Sequence, residues 1–93
     1  MVYPLPRLYP ILDSRTARNR GLPSIDVARA MLSGGARILQ FRHKEQWTRD
    51  VFSDAEQIAG LCRAAAVPFV VNDRVDMAAL LDAGIHLGQE DLL

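Results

Sequence analysis

The chain has 93 residues, with 11 basic and 11 acidic side chains that cancel to a formal net charge of zero. At 49% hydrophobic and 24% charged it has the composition of one globular domain spanning residues 1–93. That balance excludes a global basic field for nucleic acid, and no Lys/Arg run or apolar stretch of roughly 20 residues marks a membrane partner.

Cys62 is the only cysteine, so no intrachain disulfide forms, and its helix-period position reads as a small buried hydrophobe. The opening stretch MVYPLPRLYP lacks the long apolar run of a signal peptide, which makes a reducing cytoplasm the expected compartment.

Leu8 to Asp13 reads as a first strand, although Pro10 argues against a central place for it. Ser14 to Gly21 is polar and reads as a loop. Its Arg15, Arg18 and Arg20 are either solvated or a lip that attracts phosphate. A first helix is expected after Pro23, with Ser24 as N-cap and Val27, Ala30 and Met31 on the buried face. Gly34-Gly35 ends it, since glycine adopts a left-handed cap at little cost. The second strand is Arg37 to Arg42.

The second helix is expected from Asp50 to Ala66, where Val51, Ala55, Ile58, Cys62 and Ala65 form an amphipathic stripe. Pro68 to Asn72 is a third strand. A short third helix follows, with Val75, Ala78, Ala79 and Leu81 apolar and Ala83-Gly84 as its close. Ile85 to Gly88 is a fourth strand. The order β-α-β-α-β-α-β predicts parallel pairing through right-handed crossovers. Polar residues follow the apolar run of several strands, the pattern of a (β/α) barrel rather than a doubly wound sheet with one switch point. The expected fold is therefore α/β, the N-terminal half of a TIM (β/α)8 barrel.

Three clusters carry candidate chemistry. Strand alternation points Gln40, Arg42 and Lys44 the same way. An amide and two cations there suit a diphosphate, and the alternative is a polar strand edge with solvated charges. Asp73, after Asn72, is either a Mg²⁺ ligand or the N-cap of the third helix. Asp91 is a second Mg²⁺ ligand or the cap of a following helix, and Gly88 permits close backbone approach. His86 reads as a core histidine, and Asp76 and Asp82 as solvated charges. Together the clusters describe a site for a magnesium diphosphate.

At these residues the chain resembles the thiamine-phosphate synthase family. Leu8 to Asp13 looks like its opening strand. Gln40-Phe41-Arg42-His43-Lys44 resembles its second-strand motif, usually Gln-Leu-Arg-Glu-Lys. Pro68 to Arg74 and Gly84 to Leu92 resemble its third and fourth motifs. The resemblance implies a TIM-type barrel that joins hydroxymethylpyrimidine diphosphate to hydroxyethylthiazole phosphate, giving thiamine phosphate and pyrophosphate. Gln40 would contact the pyrimidine. Arg42, Lys44 and Asn72 would hold the diphosphate, and Asp73 and Asp91 would bind Mg²⁺. The diphosphate would dissociate to a pyrimidine-stabilised cation captured by the thiazole nitrogen, so no side-chain nucleophile is required.

His43 stands where the family usually has Glu, and Leu12 replaces a common Thr. A barrel takes roughly 200 residues or more, so this chain is expected to lack most of the thiazole-phosphate site and to be inactive alone. It is either part of a longer gene product or a half-barrel completed by self-association. Two other readings are a thiazole tautomerase or regulatory relative on the same barrel, and a non-catalytic module binding a phosphate ligand. Small molecules are the expected partners in each.

Overall fold

A computed structural model describes residues 10–72, 74–81 and 84–86, with the backbone alone for 75, 78, 80 and 84–86. The elements run β1 (Ile11–Asp13), α1 (Ser14–Asn19), α2 (Ser24–Ser33), β2 (Leu39–Arg42), α3 (Arg49–Ala64), β3 (Phe69–Asn72), α4 (Val75–Leu80) and β4 (Gly84–His86). Leu8, Tyr9, Asp73, Asp82, Ala83, Gly88 and Asp91 lie outside the described residues.

The four strands form one parallel sheet in the order β1-β2-β3-β4. A doubly wound sheet reverses direction partway; this one advances steadily. Register and pleat then assign the two faces. Leu12 pairs with Phe41, Phe41 with Val71, and Leu39 with Phe69. All five are buried and join one core cluster with Ala28 of α2, Val51, Ala55, Ile58, Ala59 and Cys62 of α3, and Leu81 after α4. The helices thus cover the face that carries these residues. The alternate residues, Ile11, Gln40 and Val70 and then Asp13, Arg42 and Asn72, belong to the other face.

The segment Ser14 to Asn19 is a helix, not a loop. The Asp13 carboxylate starts it, with Oδ1 accepting the backbone N–H of Arg15 and of Thr16 at 3.0 Å each. Six residues with only Ser14 and Ala17 buried show too little periodicity to announce a helix. In α2 the N-cap is Pro23, with no side-chain cap bond, and Ser24 is the first helical residue. The buried residue of α2 is Ala28, while Ala30 is exposed and Val27 and Met31 are half-buried. Val27 and Met31 pack against the core and also border an open cavity beside β1.

α3 starts one residue earlier than expected, capped by Thr48 Oγ1, which accepts the Val51 N–H at 3.2 Å. Its stripe is as anticipated except for Ala65, which is exposed because the helix ends at Ala64. Ala79 is also exposed, whereas Leu81 is buried. The N-cap of α4 is Arg74, so the cap position does not fall on residue 73. Asp76, expected to be a solvated charge, is exposed and ion-paired with Arg74.

The first three helices end alike. After α1, Leu22 N–H bonds Ala17 O and Gly21 N–H bonds Arg18 O; after α2, Ala36 bonds Met31 and Gly35 bonds Leu32; after α3, Val67 bonds Cys62 and Ala66 bonds Arg63. Each is a Schellman cap, which needs a left-handed residue at its pivot. Gly21 (φ 71°) and Gly35 (φ 93°) supply it freely, but α3 uses Ala66 (φ 57°). No helix among the described residues is long and apolar enough to cross a membrane.

Three outcomes follow in chemical denaturation. Ile58→Ala, at a fully buried position, costs about 2–5 kcal/mol, while Ala65→Ser changes stability by less than about 0.5 kcal/mol. Ala66→Gly stabilises by about 1 kcal/mol through release of left-handed strain. Burial raises the Cys62 thiol from 9.0 to about 11. The unfolded thiol ionises first, so stability is intact below about pH 9 and declines as pH rises through 11. At pH 8 a disulfide reagent should label Cys62 only as fast as the chain opens.

Candidate active site

The C-terminal ends of β1, β2 and β3 bring three polar side chains, Asp13, Arg42 and Asn72, to one level of the sheet. Asp13 pairs in register with Arg42. Because Phe41 pairs with Val71, Arg42 and Asn72 are the next residues on adjacent strands, and Asn72 pairs with His86 of β4. Parallel strands whose polar residues all fall just past an apolar run place those residues on a common rim.

Gln40 and Asn72 are buried, and Asn72 Nδ2 donates to Gln40 Oε1 at 3.2 Å. This bond joins β2 to β3 on the face that the helices leave uncovered. It also orients both amides, since the Gln40 oxygen is turned toward Asn72.

Arg42 is about a third exposed, and its Nε lies 3.9 Å from Asp13 Oδ2. That separation is an ion pair but too long for a hydrogen bond. Nε is buried and has no hydrogen-bond partner among the described residues. A buried guanidinium N–H without an acceptor is costly, so this donor marks a place where an anion would be welcome. Asp13 cannot release its carboxylate: Oδ1 holds the start of α1, and Oδ2 faces Arg42.

β2 ends at Arg42, so Lys44 lies beyond the strand, where alternation no longer fixes its direction; it is exposed. It has no ion pair among the described residues. The structure therefore brings Gln40, Arg42 and Asn72 together and leaves Lys44 at the margin. Asp73 and Asp91, the expected metal ligands, are outside the described residues. Among the described residues, no three His, Cys, Asp or Glu side chains cluster as a metal site.

His43 points away from Arg42, toward Ser14 and Trp47. It is buried, with Nδ1 bonded to Ser14 Oγ and Nε2 to Gln46 O at 3.2 Å. Trp47, unremarked in the sequence, stands edge-on to His43 and to Phe41, at centroid distances of 6.2 and 5.5 Å. Arg74 lies 5.8 Å over its ring and forks onto Asp76 at 3.0 and 2.9 Å. Those bonds hold the Asp76 carboxyl below its usual range and raise the Arg74 guanidinium. Asp13 was missed as a rim residue, and Trp47 and Arg74 were missed as a packed pair behind it, with Trp47 in the core on the helix-covered face. The one signal for them was proximity to the Gln40 and Asn72 motifs.

The arginines of the first polar stretch divide. Arg18 lies 4.0 Å from Glu45, with both side chains exposed, and is a surface pair of little weight. Arg20 lines the same cavity, of about 420 Å³, as Asp13 and Arg42. It adds a second cation to that opening.

A family model described as thiamine monophosphate synthase matches residues 8–93. A thiamine-phosphate synthase of Roseiflexus castenholzii is 46% identical over 86 residues, covering 91% of this chain and 37% of that protein. Another from Chloroflexus aurantiacus is 41% identical over 87 residues, covering 92% and 39%. Among solved structures, thiamine phosphate pyrophosphorylase from Pyrococcus furiosus matches with a TM-score of 0.75 at 34% identity, over 89% of this chain and 39% of that one. The chain thus spans well under half the length of these relatives. With its opening strand, its Gln40 to Lys44 segment and its third and fourth strands all inside the matched span, the chain belongs to the thiamine monophosphate synthase family.

Proposed function

We propose that this chain supplies the diphosphate-binding strands of a thiamine-phosphate synthase. The reaction condenses hydroxymethylpyrimidine diphosphate with hydroxyethylthiazole phosphate and releases pyrophosphate. The observation that carries this reading is the buried Arg42 Nε with no acceptor, on the same sheet face as the Gln40–Asn72 pair. A donor fixed before the ligand arrives stabilises an anion with little reorganisation.

In this reading Arg42 and Lys44 hold the diphosphate. Arg42 provides a directed fork and Lys44 a mobile point charge. Asn72, oriented by Gln40, adds an amide donor, and Gln40 contacts the pyrimidine. Positive charge aimed at the departing diphosphate favours its dissociation, and the thiazole nitrogen then captures the pyrimidine carbon. No side chain needs to act as nucleophile.

Asp73 and Asp91 are the proposed Mg²⁺ ligands. Hard carboxylate oxygens suit that ion, and position 73 directly follows a rim residue, Asn72. Asp13 is not counted among them, because its Oδ1 caps α1 and its Oδ2 faces the Arg42 cation. Bound magnesium would neutralise charge that develops on the leaving group. The steady advance of the sheet and its helices on one face support a (β/α) barrel as the complete fold. Further strands would then cover Ile11, which is 48% exposed.

The test is formation of thiamine phosphate from both substrates by a full-length protein carrying this chain. Arg42→Ala, Asp73→Ala or Asp91→Ala should each lower kcat by about 10²-fold or more, and a chelator should abolish turnover. Near-normal rates in both aspartate variants would reject the metal assignment. The 93-residue chain alone should form no product.

A further inference from the structure

The β1–β2 ladder ends at the Asp13–Arg42 pair, and the 3.9 Å gap there is too long for a hydrogen bond to set the guanidinium. The next residues along each strand are Ser14 and His43. Both are buried away from Arg42, at 6% exposure, and they are joined through Ser14 Oγ and His43 Nδ1. A carbonyl only accepts, so the contact of Nε2 with Gln46 O assigns the ring hydrogen to Nε2. In the neutral ring Nδ1 then accepts the Ser14 O–H. Trp47, edge-on to the ring, closes its remaining side.

We propose that His43, as the neutral Nε2–H tautomer, is a positioning residue. By bridging Ser14 and the Gln46 carbonyl behind the sheet, it locks β1 to β2 at the level of Asp13 and Arg42 and so aims the Arg42 guanidinium. Asp13 and Ser14 are consecutive, as are Arg42 and His43. Movement of one pair therefore moves the other, and the rim is held from the face away from the ligand. The consequence for ligand binding rests on the diphosphate reading above; the clamp does not.

The experiment uses the chain itself in solution. Nitrogen-15 spectra of the wild type should show His43 with Nδ1 unprotonated and Nε2 protonated. Solvent exchange of the Arg42 Nε–H is the second readout. S14A and H43Q, which lose the Ser14 link, should accelerate it about tenfold, in line with one lost hydrogen bond. H43N places an amide oxygen near the Nδ1 position and should retain slow exchange. Adding S14A to H43Q should change little, because both remove one interaction. Titration with magnesium pyrophosphate should weaken in the same order. A protonated Nδ1 in the wild type, or unchanged Arg42 exchange in S14A and H43Q, would overturn the clamp. If H43Q does not fold, S14A decides, since it deletes a single oxygen. Failure of the wild type to bind magnesium pyrophosphate would reject the diphosphate site and leave the exchange data to judge the clamp.

Discussion

Everything at the rim depends on the period-two alternation of strands held in one parallel register. Phe41 points into the helix-covered core, so its neighbours Gln40 and Arg42 must point away from it. Slipping β2 by one residue would drive an amide and a guanidinium among Val51, Ala55 and Ile58 and bring Phe41 out. Unpaired polar groups in such a setting cost several kcal/mol. The apolar packing on one face therefore enforces the polar alignment on the other. The core specifies the site through geometry it shares with it, without touching it.

Two kinds of charge pairing meet near the site, and they have different consequences. Arg74 is tied at short range to Asp76 and lies over Trp47, so its charge is already met. Arg42 faces Asp13 across a longer gap with its Nε unpaired. The Asp13 carboxylate is divided between a helix start and this arginine. It lies near the cation without hydrogen-bonding to it, which leaves the guanidinium able to take phosphate oxygens.

Much of this was legible from the residues. The stripe Val51, Ala55, Ile58, Cys62 repeats long enough to define α3, and Gly34-Gly35 marked the end of α2 because left-handed geometry favours glycine there. Where the pattern is short, other forces decided. α1 arises from one carboxylate taking two backbone N–H groups, a local bond with no periodicity. Ala65 fits the stripe by spacing yet lies past a cap built on Ala66, a residue that gives no warning of positive φ. The direction of Lys44 was inferred from alternation, which lapses once the strand ends at Arg42. The roles of Trp47 and Arg74 depend on a contact between the β2–α3 loop and the start of α4, separated by more than twenty residues, and nothing local announces it.

The uneven distribution of charge along the chain bears on how the chemistry is divided. The described rim holds cations and amides, with one carboxylate already committed. Such a set binds anions and has no spare acid to hold a divalent ion. On the proposed reading the acids are Asp73 and Asp91, which follow β3 and β4 in the sequence. On that reading the cations near the end of β2 and the two acids further along the chain would serve different parts of one magnesium diphosphate. A carboxylate hydrogen-bonded to Arg42 would pair the arginine internally and weaken its attraction for phosphate; the 3.9 Å gap to Asp13 keeps it available to the ligand.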